Sequence, residues 1–399
     1  MSHVLIVGCG VVGAAIAYEL SLSGLEVTVV DQQPPAQAAT GAALGVLMGA
    51  ISHKIKGNAW QMRSASLQRY ETLIPELEAL TMRRIPFNRQ GILMLCFQED
   101  VAGWEKLAAV RAAQGWQIEI WNATHLQVQC PQLNCEKIVA AIYSPQDRQV
   151  DPISLTLALV EAAQRQGVQF HFGVKAAGYH FDASDQQMYF YIDTTNTPHA
   201  AILDGIQNVD WLIIAAGTGS TQLQSIQHTN VSLTKIAISS STSPLTHPTP
   251  VVEIKPVLGQ AIHLQVNQPL GDPKFQPVIT GDDVHIVPCM GSQPIIDYWI
   301  GATVEFPTDE LIADPDQLEQ VRQQAIAFCP ALAEAKIIRT WSGLRPRPEG
   351  RPAPVIELHN LSNILFATGH YRNGVLLAPA TAQKIREIIT RGKWLVTSG

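Results

Sequence analysis

Four residues near the N-terminus have the types and spacing of a dinucleotide-binding site. They are Gly8, Gly10, Gly13 and Asp31, and an apolar run over residues 4–7 leads directly into the first of them. Glycines in this pattern permit a tight turn, bring the backbone close to a pyrophosphate and let a helix pack closely on a strand. The helix start would offer N–H groups to phosphates, and Asp31 would accept hydrogen bonds from an adenosine ribose. The pattern therefore predicts a strand, a turn and a helix that together hold a dinucleotide.

The composition narrows the class of protein. The chain has 399 residues, of which 46% are apolar and 15% charged, and its formal net charge is −7. This length predicts two domains, and the negative charge argues against a nucleic-acid partner. No apolar run approaches the length of a membrane span, and the first predicted strand begins too early for a secretory signal, so we expect a cytoplasmic protein. The six cysteines include no C-x-x-C pair, which predicts reduced thiols and no metal site.

The apolar pattern predicts an α/β chain with two interleaved domains. Buried strands of the parallel type are predicted near both ends, for example over residues 209–216 and 364–367, with more polar, alternating strands between them. A long helix is predicted over residues 59–80, and a second helix over residues 378–390. The stretch 239–256, rich in Ser, Thr and Pro, is predicted to be an exposed loop.

Four further segments carry residues suited to a ligand site. They are the small-residue loop 40–46, the segment 254–260, the segment 341–346 and the glycine-rich segment 368–379. Arg345 in the third segment presents a planar guanidinium that matches a carboxylate through two parallel hydrogen bonds. A salt bridge to Glu349, or a solvated loop position, is the alternative interpretation of Arg345.

Taken in order, these segments resemble the D-amino-acid oxidase superfamily of flavoproteins, most closely the glycine oxidases. The resemblance extends from residue 3 to about residue 390. It implies an α/β fold in which a split, Rossmann-like FAD-binding domain comprises residues 1–88, 146–220 and 341–399. A second, α+β substrate domain built on an antiparallel sheet would comprise residues 89–145 and 221–340. The implied reaction is oxidation of a small amino acid or amine by hydride transfer from Cα to flavin N5, followed by hydrolysis of the imine and reoxidation of the flavin by O2.

The resemblance also assigns residues to FAD. The ADP half would be held by Gly8, Gly10, Val12, Gly13 and Asp31. The pyrophosphate and flavin would be lined by Thr40, Gly41, Ala42, Ala43, Gly45 and Val46. Ala176 would face the adenine, and Ala215 and Gly217 would pack on the cofactor. The isoalloxazine ring would lie along Gly369, His370, Arg372, Asn373, Gly374, Val375 and Leu376. Backbone amides at such a helix start can stabilise the negative charge of a reduced flavin.

Three residues are predicted to bind the substrate. Arg345 would hold a carboxylate, and Arg372 matches a second arginine near the substrate of glycine oxidases, although an ion pair that holds the turn is the alternative role. His285 stands where glycine oxidases have a tyrosine that faces the substrate, so the identity of the substrate stays open. No acid or base is assigned, because alignment of a neutral amine over the flavin is most of what hydride transfer requires.

Two other functions remain open at this point. An FAD-dependent dehydrogenase for D-amino acids or proline would pass its electrons to a quinone or a carrier protein instead of O2. An NAD-linked enzyme or a non-catalytic nucleotide-binding protein would explain the N-terminal glycines but leaves segments 341–346 and 368–379 without a purpose. The expected partners are an amino acid or amine and an electron acceptor, with self-association as a homo-oligomer compatible with the sequence.

Overall fold

The computed structural model describes residues 2–97, 101–193, 205–224, 233–239, 251–291, 293–306, 311–359 and 363–391. The helices of this part are α1 (Val11–Ser21), α2 (Gly57–Thr81), α3 (Val101–Ala113), α4 (Ala123–Gln129), α5 (Pro152–Arg165), α6 (Pro315–Phe328) and α7 (Gly374–Arg391). The first strands are β1 (His3–Val7), β2 (Glu26–Asp31), β3 (Val46–Leu47), β4 (Phe87–Asn88), β5 (Ile92–Cys96), β6 (Glu119–Asn122), β7 (Ala140–Ser144), β8 (Arg148–Val150), β9 (Gln169–Phe172) and β10 (Lys175–Asp182). The remaining strands are β11 (Gln187–Asp193), β12 (Asn208–Val209), β13 (Trp211–Ile214), β14 (Leu233–Ile238), β15 (Ile254–Gln265), β16 (Val278–Gly281), β17 (Val284–Pro288), β18 (Asp297–Gly301), β19 (Lys336–Pro348), β20 (Val355–Leu358) and β21 (Ile364–Thr368).

A six-stranded sheet in the order β20-β21-β13-β1-β2-β9 brings the two ends of the chain together. Its strands pair in parallel except for β20, which is antiparallel to β21. Residues 4–7 of β1 are buried, as the continuous apolar run predicts for a strand covered on both faces. Helices α1, α2, α5 and α7 pack over one face. This sheet is the predicted Rossmann-like unit.

An eight-stranded sheet in the order β19-β15-β18-β17-β16-β5-β7-β6 forms the second layer. Its neighbours are antiparallel apart from the β16–β5 pair. Two smaller sheets, β10-β11-β14-β12 and β3-β8-β4, complete the strands of the described residues. The α/β fold with a mainly antiparallel second sheet, expected from the sequence, is confirmed.

Two predicted element boundaries differ from the structure, and one predicted domain boundary, which stays a prediction, falls within a strand. Strand β15 begins at Ile254, so the last residues of the predicted loop 239–256 are in fact paired with β19; residues 240–250 of that prediction lie outside the described part. Helix α7 begins at Gly374, four residues before the predicted start, because the glycine-rich turn ends in a 3₁₀ turn over Tyr371–Asn373. The predicted domain boundary between residues 340 and 341 falls within the single strand β19, which pairs with β15 along its length.

Candidate active site

A cavity of about 1310 Å³ lies where the six-stranded sheet meets the eight-stranded one. From the first sheet it is lined by residues at the carboxyl ends of four parallel strands, among them Gly8, Asp31, Ala215 and Gly369. Ligands of open α/β sheets bind at this edge. Cavities for drug-sized ligands are usually about 300–1,000 Å³, so this cavity has room for a dinucleotide and a small substrate.

Close packing at the start of α1 requires glycine at two of the predicted positions. A Cβ on Gly13 would lie 1.9 Å from the carbonyl oxygen of Gly8, and a Cβ on Gly8 would lie 2.5 Å from that of Ala215. Thr40 Oγ1 accepts a hydrogen bond of 3.0 Å from the Val11 N–H at the helix start. The next residue, Val12, lines the cavity, so the start of α1 lies at the cavity wall.

Asp31 ends β2 beside this helix start. Its Oδ2 accepts a hydrogen bond of 2.6 Å from the Cys9 N–H, and its Oδ1 accepts one of 2.9 Å from the Gln33 N–H. Burial raises the pKa of the Asp31 carboxyl, and these backbone donors oppose that change. The carboxylate is therefore fixed at the cavity wall, and its contact with a ribose stays a prediction.

Asp147 holds the loop that continues from the small-residue segment into the cavity wall. This fully buried carboxylate accepts hydrogen bonds of 2.7 to 2.9 Å from the N–H groups of Gly49, Ala50 and Ile51. A hydrogen bond also joins loop 40–46 to the eight-stranded sheet, because Trp341 Nε1 on β19 donates to the carbonyl oxygen of Ala42 at 3.1 Å.

We expect Asp147→Asn to lower the free energy of unfolding by about 1–3 kcal/mol, because one of the three buried N–H groups would face an amide NH₂ instead of an oxygen. Urea unfolding at neutral pH measures this loss. Glu136→Gln is the control, since Glu136 is exposed and its carboxylate has no hydrogen-bond or ion-pair partner among the described residues. Equal midpoints for Asp147→Asn and the control would show that Asp147 does not hold the loop.

One row of side chains crosses the face of the eight-stranded sheet that lines the cavity. Met94, Thr280 and His285 are direct partners on β5, β16 and β17, and all three line the cavity. Direct partners project to the same face of a sheet. The row continues through Gly301 to Ala261, which leads to the strand pair β15–β19.

Arg345 lies on this face with its guanidinium flat against Gly259. A Cβ on Gly259 would meet the Nη1, Cζ and Nη2 atoms at 2.3 to 2.4 Å, so any side chain at this position would displace the guanidinium. Its Nη1 donates to the carbonyl oxygens of Leu258 at 3.2 Å and Thr303 at 2.9 Å. Among the described residues its Nε and Nη2 have no hydrogen-bond partner, so this edge is open to a ligand.

The structure does not support the alternative interpretations of Arg345. Glu349 contacts Lys255 at 3.5 Å, and no described carboxylate lies within ion-pair distance of Arg345. The residue is half-buried in the long strand β19, which excludes a solvated loop position. Burial, and then the charge of Arg372, lower the pKa of Arg345, but an arginine remains charged in a protein.

Arg372 and His285 lie next to this guanidinium on the cavity wall. Arg372 is exposed and pairs with Asp283 at 3.3 Å, the ion pair considered as its alternative role. The His285 Nδ1 is buried and has no hydrogen-bond partner. Burial, and then the charge of Arg372, lower the pKa of His285 to about 4. The imidazole is therefore neutral at physiological pH.

His370 is the second histidine at the cavity. It is almost fully buried, its Nε2 is 2.9 Å from Thr381 Oγ1, and burial lowers its pKa to about 4 from the ordinary value of 6.5. Between these two values the unfolded chain binds a proton that the folded chain does not, so stability rises with pH over this window.

When the pH is lowered from 7 to 5, the free energy of unfolding should therefore fall in both proteins. The fall should be about 1–2 kcal/mol smaller for His370→Gln than for the parent protein. Denaturant unfolding at the two pH values gives the difference. His180→Gln, at an exposed strand position, serves as the control. If His370→Gln loses as much stability on acidification as His180→Gln, the buried imidazole is not neutral in the folded protein.

Most predicted site residues meet at this one cavity, and three do not line it. Gly13 lies behind the wall in the contact with Gly8, Gly41 packs against Ala36, and Leu376 is buried in the core beside α2. The sequence analysis included Gly259 only within segment 254–260 and gave it no role of its own, because that role depends on its place beside Arg345 across the β15–β19 pair. It missed Arg63 and Met94; an arginine within the apolar stripe of a helix is the signal that could have revealed Arg63.

Comparison with known proteins identifies the family. The model of the FAD dependent oxidoreductase family matches residues 3–388. The chain belongs to this family. The sequence-based prediction of an FAD-dependent oxidoreductase that resembles D-amino-acid and glycine oxidases is confirmed. Within the described residues, no helix of this oxidoreductase is long and apolar enough to span a membrane.

Individual relatives agree with this assignment. The bifunctional protein ThiO/ThiG of Trichormus variabilis is 29% identical over 395 residues, which are 98% of this chain and 53% of that protein. The chain thus spans about half the length of this curated relative. The glycine oxidase of Geobacillus kaustophilus is 24% identical over 399 residues, 98% of this chain and 94% of that protein. The crystal structure of glycine oxidase from Bacillus cereus shares the fold, with a TM-score of 0.79 at 23% identity over 99% of this chain and 96% of that chain.

Proposed function

We propose that this oxidoreductase oxidises a small amino acid or a related amine that carries a carboxylate, as glycine oxidases do. The observation that carries the proposal is Arg345, a half-buried guanidinium on the cavity wall with one edge open and no described acid partner. A carboxylate is the group that matches this planar fork.

The cavity fits FAD. Its volume exceeds that of ordinary small-ligand sites, the start of α1 is shaped by glycine, and Asp31 lies at the cavity wall beside that helix start. We assign the ADP half to Gly8, Gly10, Val12 and Asp31. The flavin is assigned to the wall formed by loop 40–46 and by Gly369, His370, Asn373, Gly374 and Val375. Bound FAD supplies the hydride acceptor.

The protein's own residues then contribute by positioning the substrate. Arg345 holds the substrate carboxylate, with its position fixed by the carbonyl oxygens of Leu258 and Thr303. His285 offers its buried, unpartnered Nδ1 to a polar group of the substrate. Arg372 contributes positive charge at the same end. No general base is assigned, because orientation accounts for most of what the reaction needs from these groups.

This proposal also includes a choice of electron acceptor, the division into an FAD-binding and a substrate domain, a cytoplasmic location and self-association. We take O2 as the acceptor. An amino-acid dehydrogenase that uses a quinone or carrier is the rival, and L-proline dehydrogenase from P. horikoshii shares the fold with a TM-score of 0.77 at 18% identity.

A substrate screen under air tests the proposal. Purified protein is offered small amino acids and amines, and hydrogen peroxide is measured in parallel with reduction of an artificial dye. Peroxide with at least one carboxylate-bearing amine supports the oxidase. Dye reduction without peroxide assigns the dehydrogenase. No turnover with any amino acid or amine by either readout would reject the proposed substrate class.

A further inference from the structure

A second arginine, Arg63, enters the same cavity from helix α2. It lies within the apolar stripe that contains Trp60, Leu67 and Tyr70, all of which are buried. A charged residue in such a stripe loses hydration, and burial lowers the pKa of Arg63 accordingly. Its side chain lines the cavity together with Ser52. Arg63 is half-buried, so its guanidinium loses part of its hydration at this position.

The hydrogen bonds of Arg63 leave most of its donors unused. Its Nη1 donates to the carbonyl oxygen of Ala59 at 2.9 Å, one turn back along the helix. Its Nε is fully buried and has no hydrogen-bond partner. No carboxylate among the described residues lies within ion-pair distance of it. Buried polar atoms are rarely left unpaired in folded proteins, so this N–H is available to a group from outside the chain.

The neighbouring Arg111 shows what a purely structural arginine looks like in this region. Its Nε and Nη2 donate to the carbonyl oxygens of Ala50, Ser52 and Lys54 at 2.7 to 2.9 Å. Its guanidinium stacks 3.5 Å from the centre of the Trp60 ring, and Arg111 is fully buried. Arg63 lies close enough to lower the pKa of Arg111, yet it shares none of these carbonyl partners. Arg63 is therefore not needed to satisfy this loop.

Arg63 and Arg345 are separate points on one wall. Arg63 is on helix α2 and Arg345 on strand β19, and both line the cavity. The wall also includes Met48 and Met94, which offer apolar surface to an aliphatic chain. A ligand that reaches both guanidiniums has an anionic group at each end.

We propose that Arg63 is a specificity-determining residue that binds a second, distal anionic group of the substrate, so that the favoured substrates are amino acids whose side chain ends in a carboxylate. This inference rests on the proposed function and narrows it. A two-carbon amino acid would use Arg345 alone, and a diacid of suitable length would use both guanidiniums.

Binding of unreactive acids tests the proposal without turnover. Isothermal titration calorimetry on the purified flavin-bound protein would compare succinate, glutarate and adipate with butyrate. We expect at least one diacid to bind ten or more times as tightly as butyrate. In Arg63→Met this preference should fall to within twofold, with butyrate affinity and flavin content unchanged, and Arg63→Lys should restore part of it.

Lys56→Met is the matched control, because Lys56 is an exposed cation next to the start of the same helix and does not line the cavity. It should keep the full diacid preference. The proposal would be overturned if the parent protein bound diacids and butyrate equally, or if Arg63→Met kept the preference for diacids. Loss of flavin from Arg63→Met would also overturn it, because that result would assign Arg63 to a cofactor phosphate. Diacid binding that depends on Arg63, with no turnover of any amino acid, would instead reject the proposed function and leave the anion site standing.

Discussion

Arg345→Ala is expected to lower kcat/KM for every carboxylate substrate by roughly 30- to 5,000-fold, which corresponds to about 2–5 kcal/mol of transition-state binding. The reason is that the guanidinium is half-buried, fixed by two carbonyl oxygens and without a described acid partner, so its removal leaves the substrate carboxylate without a counter-charge. Flavin content should be unchanged, because in our assignment Arg345 faces the substrate end of the cavity.

Two further variants make this prediction specific. Arg347→Ala removes the same residue type two positions along β19, from an exposed position outside the cavity wall, and should leave kcat/KM within about twofold. Arg345→Lys keeps the charge but loses the planar fork, so it should give an intermediate value. An Arg345→Ala enzyme as active as Arg347→Ala on all carboxylate substrates would remove Arg345 from the substrate site.

Gly10→Val is expected to yield folded protein without flavin. A Cβ at this position would already lie 3.1 Å from Thr40 Oγ1, and the two methyl groups beyond it would occupy the cavity at the start of α1, where we place the pyrophosphate. The flavin content per chain, measured from the absorbance of cofactor released on denaturation, should fall at least tenfold.

Gly291→Val provides the control, since a Cβ at Gly291 meets no atom within 4 Å and its φ is not positive. Circular dichroism of both variants should show a folded protein. If Gly10→Val purifies with the same flavin content as Gly291→Val, the pyrophosphate does not lie at the start of α1.

The features that the sequence predicts well are those fixed within a short stretch of chain. The glycines at the start of α1 and Asp31 belong to one strand–helix–strand unit, and the contact between Gly13 and Gly8 lies within it, whereas Gly8 also packs against the distant Ala215. The segment around Arg345 was recognisable for its residue types, although its position in a thirteen-residue strand was not. Apolar runs alone do not show that Pro-rich residues 341–348 pair with β15.

Other features depend on pairing between distant residues. Gly259 matters because the β15–β19 register places the Arg345 guanidinium over it. The pKa of His285 is lowered because its Nδ1 is buried and two arginines from other elements lie nearby. The ligand role of Arg63 depends on which face of α2 meets the cavity and on the absence of an acid partner among the described residues. None of these conditions can be read from one segment of sequence.

The central claim is that the cavity holds FAD beside an amine substrate whose carboxylate is bound by Arg345. Anaerobic titration of the purified protein with the best amino acid from the screen tests it most directly, because the flavin spectrum reports on the reaction independently of the electron acceptor. We predict that this amino acid bleaches the flavin absorbance of the parent protein. Arg345→Ala should need a far higher substrate concentration to reach the same rate of bleaching. A colourless protein that takes up no FAD, or a flavin that no amino acid or amine reduces, would contradict the account.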